Sequence, residues 1–307
     1  PAAPMGPPRR FRHGIGPVCR HLFHDIPHRY LERVYAGIPS GCRRYSHSSH
    51  LVRTPGHRWR NQTAVRFMAS ITLLETKGLT RSFGGLVAVN NVDFDLPEGQ
   101  VRALIGPNGA GKSTLVGLLC GRMPVSGGTV FFQGENVTTL PSHKRISLGM
   151  AYTFQITSIF GRLSLYENVA LAVRRCTDGG ADVVEQRVLD ALSQVGLADR
   201  TDDVAGNLSY GHQRLLEIAM GISQRPKLLI LDEPTQGLAD VEIESFNALI
   251  RSMAGSTTIL LIEHNMGVVM ETADYVTVLN FGEVLAEGTP DEIRANADVQ
   301  AAYLGSH

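Results

Sequence analysis

Residues 106–114 read GPNGAGKST, a run of small residues closed by Lys112, Ser113 and Thr114. The spacing fits G-x-x-x-x-G-K-[ST]. The apolar stretch Val101–Ile105 precedes it and a helix-forming stretch follows, the order this motif requires. The chemistry is capture of a phosphate chain. Gly106, Pro107, Asn108, Gly109, Ala110 and Gly111 let consecutive N–H groups converge into an anion-binding nest. The following helix adds its positive N-terminal end. Lys112 can reach the β- and γ-phosphates, and the Ser113 hydroxyl can ligate Mg²⁺.

Two apolar runs end in groups suited to the same chemistry. LLILDEP, at 228–234, stops at Asp232 and Glu233, and TTILLIEH, at 257–264, stops at Glu263 and His264. An acid at the carboxyl end of a buried strand, in line with a phosphate loop, can complete a Mg²⁺ shell. Its neighbour can orient or deprotonate a water. A third stretch, LSYGHQRLLEIA from Leu208, puts Ser209, Gly211 and His212 just ahead of a helix-periodic run. Locally, Ser209 fits a nucleophile, a helix cap or a ligand contact.

These residues need strands that end on one edge and helices that start there. Apolar runs near 71–76, 87–96, 101–105 and 128–133 predict strands, with Gly or Pro-Glu-Gly turns between them. A helix is expected from Lys112 to Cys120, closed by Gly121, and a strand near 150–154. Ser164 and Glu167 have capping-box spacing, and 181–195 is helical by period. Leu215, Ile218, Ala219 and Ile222 define one face of a helix that Pro226 ends. The runs 228–231 and 259–262 predict central parallel strands buried on both faces. Asp240 is expected to cap a helix over 241–253. Thr289, Pro290 and Glu292 mark a helix start. The class is α/β.

The formal net charge of zero hides a division. Residues 1–67 hold twelve arginines, no lysine and two acids, a surplus of ten positive charges; the remainder carries ten negative. The first segment, rich in Arg, Pro and His without sustained period, is expected to be disordered and dispensable, as upstream sequence joined to a true start at Met68. A basic arm and a transit peptide are its other readings. The rest, 68–307, is long enough for one large domain with its own core. Its acidity argues against nucleic acid as a partner. No apolar run reaches the 18 residues of a membrane span. Cys19, Cys42, Cys120 and Cys176 lack C-x-x-C spacing, so neither a metal site nor a disulfide framework is expected.

The ordered set GPNGAGKST, TFQ, LSYGHQR, ILDEPTQGLAD and IEH resembles the nucleotide-binding subunit of an ABC transporter, over essentially all of 70–305. The resemblance implies a P-loop NTPase core with a mostly parallel sheet, an antiparallel β subdomain and a helical signature subdomain at about 156–225. It implies ATP and Mg²⁺ as ligands, with Glu233 as general base and His264 on the γ-phosphate. Gln155 would sense Mg²⁺ and the attacking water, Asp232 and Ser113 would hold the metal, and Phe83 would stack on adenine. Asp240 would lie in the loop that couples two sites. It further implies that Ser209 and Gly211 face the nucleotide of a second cassette, in a homo- or heterodimer. Tyr210 and His212 depart from the commoner Gly and Gln.

Within the family, TFQ, LIEHNMGVVM and GTPDEIRANADVQAAYLG are similar to the cassettes of branched-chain amino acid importers. The partners implied are transmembrane permease subunits and, indirectly, a periplasmic substrate-binding protein, with the cassette peripheral on the cytoplasmic face of the inner membrane. A urea or short-chain amide importer, a soluble non-transport ABC ATPase and a non-hydrolysing regulatory cassette are the alternatives. The last conflicts with the presence of Lys112, Asp232, Glu233 and His264.

Overall fold

The structure, a computed structural model, describes residues 71–153 and 158–304. The basic segment 1–67 and Gln155 lie outside the described residues.

The described chain opens with an antiparallel hairpin of β1 (Thr72–Phe83) and β2 (Leu86–Pro97), turning at Gly84 and Gly85. β1 is longer than the expected 71–76. Residues 77–83 are mostly polar and show no alternation, yet register shifts carry the ladder past Gly78 to Phe83. β3 (Val101–Ile105) follows, buried throughout, and then α1 (Lys112–Leu119). Gly121, with φ +68°, donates its N–H to the Leu118 carbonyl and ends that helix. β4 (Gly127–Phe132) and β5 (Glu135–Asn136) return to the hairpin, giving a four-stranded sheet in the order β2-β1-β4-β5.

After α2 (Ser142–Ser147) and β6 (Met150–Thr153) come three helices: α3 (Leu165–Arg175), α4 (Ala181–Gln194) and α5 (Tyr210–Ser223). α3 starts on a complete capping box, Ser164 Oγ accepting from the Glu167 N–H and Glu167 accepting from the Ser164 N–H. The three helices pack through Val169, Val173, Val188, Leu192, Leu215 and Ile218. Each such side chain contributes about 1.5–3 kcal/mol of burial.

β7 (Leu228–Asp232), α6 (Asp240–Met253), β8 (Thr258–Ile262), α7 (Met266–Thr272), β9 (Tyr275–Asn280) and β10 (Glu283–Gly288) complete a second sheet, ordered β10-β9-β3-β8-β7-β6. Every neighbouring pair is parallel except β9 with β10. α8 (Pro290–Ala295) begins on the expected Thr289 cap, and α9 (Ala297–Leu304) follows. Asp240, expected to cap α6, is instead its first residue. Ala239 holds the cap position, and Glu242 accepts its N–H at 2.8 Å.

Register decides where the chemistry emerges. Leu104 of β3 and Asp232 of β7 both lie opposite Ile262 of β8. The loops leaving these three strands therefore start level with one another at one edge of the sheet, the carboxyl edge where open α/β sheets place ligands. Among the described residues no helix is long and apolar enough to cross a membrane.

Candidate nucleotide site

The phosphate loop is held by close backbone approaches. A Cβ on Gly106 would fall 2.2 Å from the Leu279 carbonyl oxygen, and one on Gly111 would fall 2.3 Å from that of Ala88. Gly111 also has φ +102°, in the left-handed region. Gly111→Ala is expected to force the loop off the strand edge, storing about 1–3 kcal/mol of strain. ATP affinity should fall more than about tenfold, read by nucleotide titration.

Lys112 is 7 % exposed, and its ammonium donates to the carbonyls of Gly106 at 2.7 Å and Pro107 at 3.1 Å. Burial pulls its pKa down, opposed by the carboxylates of Glu233 and Asp232. The cation thus stands over the loop with two acids across from it.

Those acids leave β7 in different directions. Asp232 is buried, accepts the Tyr152 hydroxyl at 2.8 Å, and has its pKa pushed up by burial, the Tyr152 hydrogen bond working against this. Tyr152 is raised in turn, by its own burial and by Asp232. Glu233 takes a left-handed backbone, φ +49°, rare for a residue with a Cβ. Its N–H donates to the Ile262 carbonyl at 2.9 Å, and its Oε1 lies 2.7 Å from His264 Nε2. The turn brings Glu233 onto His264, in the loop that follows β8.

Two buried groups brace this corner, and neither was assigned a role from sequence. Arg214, 1 % exposed, donates to the carbonyls of Asp232 at 2.7 Å and Glu233 at 3.2 Å and pairs with Glu217 at 2.8 Å. Glu263 accepts from the Thr235 N–H and hydroxyl and from the N–H groups of His264 and Asn265. Both stand inside the quoted stretches LSYGHQR and IEH. Only a buried charge beside backbone donors or acceptors marks them, and that is visible in three dimensions alone.

Ser209 and Gly211 lie elsewhere. Ser209 caps α5, accepting the His212 N–H at 3.3 Å, and its Oγ is 2.7 Å from His212 Nδ1. A Cβ on Gly211 would meet Glu242 Oε2 at 2.9 Å, so this glycine lets α5 close against the start of α6. Among the described residues no hydrogen bond or ion pair joins Ser209 to the phosphate loop. Phe83 is 45 % exposed with the Arg81 guanidinium 4.5 Å above its ring, so it is not a core aromatic. Cys120 is buried and its thiol is pushed up to about 12 by burial, while Cys176 is exposed.

Residues 89–236 match the family described as ABC transporter, and residues 283–307 the one described as branched-chain amino acid ATP-binding cassette transporter. The chain is 41% identical over 249 residues to the high-affinity branched-chain amino acid transport ATP-binding protein BraF of Pseudomonas aeruginosa, covering 76% of this chain and 98% of that one. This chain belongs to the ABC transporter ATP-binding proteins. The cassette is 39% identical, at the same coverages, to the LivG protein of Escherichia coli, described in the same words. Among solved structures it is similar to the ADP conformation of MJ1267, an ATP-binding cassette of an ABC transporter. That match has a TM-score of 0.70 at 26% identity, over 77% of this chain and 100% of that one. It is also similar to cbiO1 of Clostridium perfringens, part of an ABC transporter complex, with a TM-score of 0.66 at 26% identity over 77% and 99%. As a member of an ATPase family, the cassette has the P-loop NTPase fold, binds nucleotide and hydrolyses it.

Proposed function

We propose that this cassette powers uptake of branched-chain amino acids through separate membrane permease subunits, by hydrolysing ATP in a pocket shared with a second cassette. The observation that carries the reading is the level emergence of the phosphate loop, Asp232–Glu233 and Glu263–His264 at one sheet edge, with Ser209 and Gly211 set apart from them. One chain supplies the phosphate cradle, the acids and the imidazole. On this reading the serine that completes the shell comes from a partner.

The donor set fits a nucleotide with Mg²⁺. Lys112, 7 % exposed, and the loop N–H groups match a polyphosphate, and the Ser113 hydroxyl and the Asp232 carboxylate match a hard, oxygen-seeking cation. Mg²⁺, when bound, neutralises charge developing on the transferring phosphoryl group. Ser113 and Asp232 would hold it, and Gln155 would be a further ligand and sense the attacking water. Glu233, steered by His264, accepts the proton of that water, and His264 turns its imidazole toward the γ-phosphate. Phe83, half exposed on β1, offers an adenine platform. Ser209 and Gly211 present the N-terminus of α5 to the partner's phosphates. Contacts made only in the clasped pair shift it closed with ATP, and hydrolysis releases it. The cassette sits at the cytoplasmic face of the membrane, and a periplasmic binding protein delivers substrate on the far side.

The test is reconstitution of the full chain with the membrane subunits and binding protein it works with. ATP-dependent accumulation of leucine, isoleucine and valine in vesicles is expected. Accumulation of urea or short amides instead would overturn the substrate. Absence of ATP hydrolysis in the assembled complex would overturn the enzyme.

A further inference from the structure

We propose that His212 is a positioning residue whose charge sets whether the Ser209 hydroxyl can donate to the phosphate held by the partner cassette. This rests on the shared-pocket reading above. The observation behind it is a three-membered array. Ser209 Oγ lies 2.7 Å from His212 Nδ1, and His212 Nε2 lies 3.7 Å from Glu242 Oε1.

A serine hydroxyl has one proton to give and two lone pairs. Here one lone pair accepts the His212 N–H, which caps α5. The remaining contact depends on the ring. A neutral imidazole with its proton on Nε2, toward the Glu242 carboxylate, leaves Nδ1 as an acceptor. The Ser209 proton then goes to Nδ1, and none remains for a phosphate. A proton taken up from solvent at Nδ1 reverses that bond. Nδ1–H donates to Oγ, Nε2–H stays on the side of the Glu242 carboxylate 3.7 Å away, and the hydroxyl proton is free to turn outward. Oγ then accepts twice and donates once, its full capacity.

The surroundings keep the array in place. Glu242 is tethered by its second oxygen, which accepts the Ala239 N–H at 2.8 Å. Gly211 allows the close approach of α5 to that carboxylate. Among the described residues Glu242, on α6, is the charged side chain within ion-pair distance of the ring. The positive end of α5 itself acts in the opposite sense. The ring is partly exposed, so exchange of its proton with solvent is open. A glutamine, the commoner residue at this place, would offer an N–H donor at every pH. A histidine whose Nε2 holds the ring proton offers it only after a second proton arrives at Nδ1.

The experiment compares ATP turnover by the full chain, assembled with the membrane subunits that co-purify with it, across pH 6–8.5. Wild type, His212→Gln, Ser209→Ala and Glu242→Gln are measured together. The kcat/KM of wild type divided by that of His212→Gln is expected to fall about tenfold as pH rises, the value of one hydrogen bond to a charged group. With Ser209→Ala in both backgrounds that dependence should vanish. Glu242→Gln should blunt that dependence, because the carboxylate 3.7 Å from Nε2 that orients the ring is gone. A purely structural role would change thermal stability without changing the dependence. Parallel profiles for wild type and His212→Gln overturn the proposal and leave the shared pocket intact. Undiminished turnover by Ser209→Ala overturns the shared pocket itself, and this inference with it.

Discussion

Glu233→Gln is expected to lower kcat for ATP hydrolysis by about 10²–10⁴-fold, the usual contribution of a positioned base, while ATP still binds. The substitution keeps the shape and the oxygen that lies 2.7 Å from His264 Nε2, so the corner of β7 and β8 is preserved. It removes basicity. Single-turnover hydrolysis and nucleotide titration, run on the same preparation, separate the two effects. A residual rate within about tenfold of wild type would take the base role away from Glu233. Weakened ATP binding at normal single-turnover rate would assign it to binding instead.

Arg214→Met is expected to have the largest effect on stability. The guanidinium is buried, and its loss takes away the cation 2.8 Å from the Glu217 carboxylate and the donor to the Asp232 carbonyl. Removing one member of a buried ion pair costs about 3–5 kcal/mol. For a domain of this size that lowers Tm on the order of 10 °C. Adding Glu217→Met should recover much of the stability, since the buried carboxylate that faced Arg214 is then gone as well. It should not recover ATP turnover, because the donor that holds the Asp232 carbonyl at 2.7 Å is still missing. Equal recovery of both by the double variant would show that Arg214 acts only through Glu217.

Much of the scaffold was legible in the chain, for reasons that differ from element to element. The runs 228–231 of β7 and 259–262 of β8 contain nothing but aliphatic residues before the acids Asp232 and Glu263, and a strand buried on both faces is the arrangement that tolerates this. Ser164 with Glu167 and Thr289 with Glu292 announce helix starts because the capping bonds are local. The far half of β1 was not legible. Its residues follow no period of two, and it is carried as a strand by neighbours on both sides, β2 and β4. Asp240 misled for a related reason: Asp is a good cap, but Glu242, three residues past Ala239, decides the first turn.

The candidate site divides the same way. The phosphate loop and Asp232–Glu233 could be picked out because their chemistry is written into contiguous residues. Ser209 could not be assigned locally, since its capping bond is satisfied within α5 whatever else it does. Arg214 and Glu263 act on backbone atoms far along the sequence, and spacing carries no trace of such contacts.

The alternation at the end of β8 also limits how lineages of this chain can diverge. Glu263 faces inward to Thr235, and the next residue, His264, reaches outward to Glu233. Losing a single codon within this strand would drive the imidazole into the slot shaped for an acid, and gaining one would set the acid opposite another carboxylate. Point changes in the aliphatic run are survivable, but a shift in length is not. Natural variants should therefore collect their insertions and deletions in the segments joining α3, α4 and α5, and keep the count from Thr258 to His264 constant.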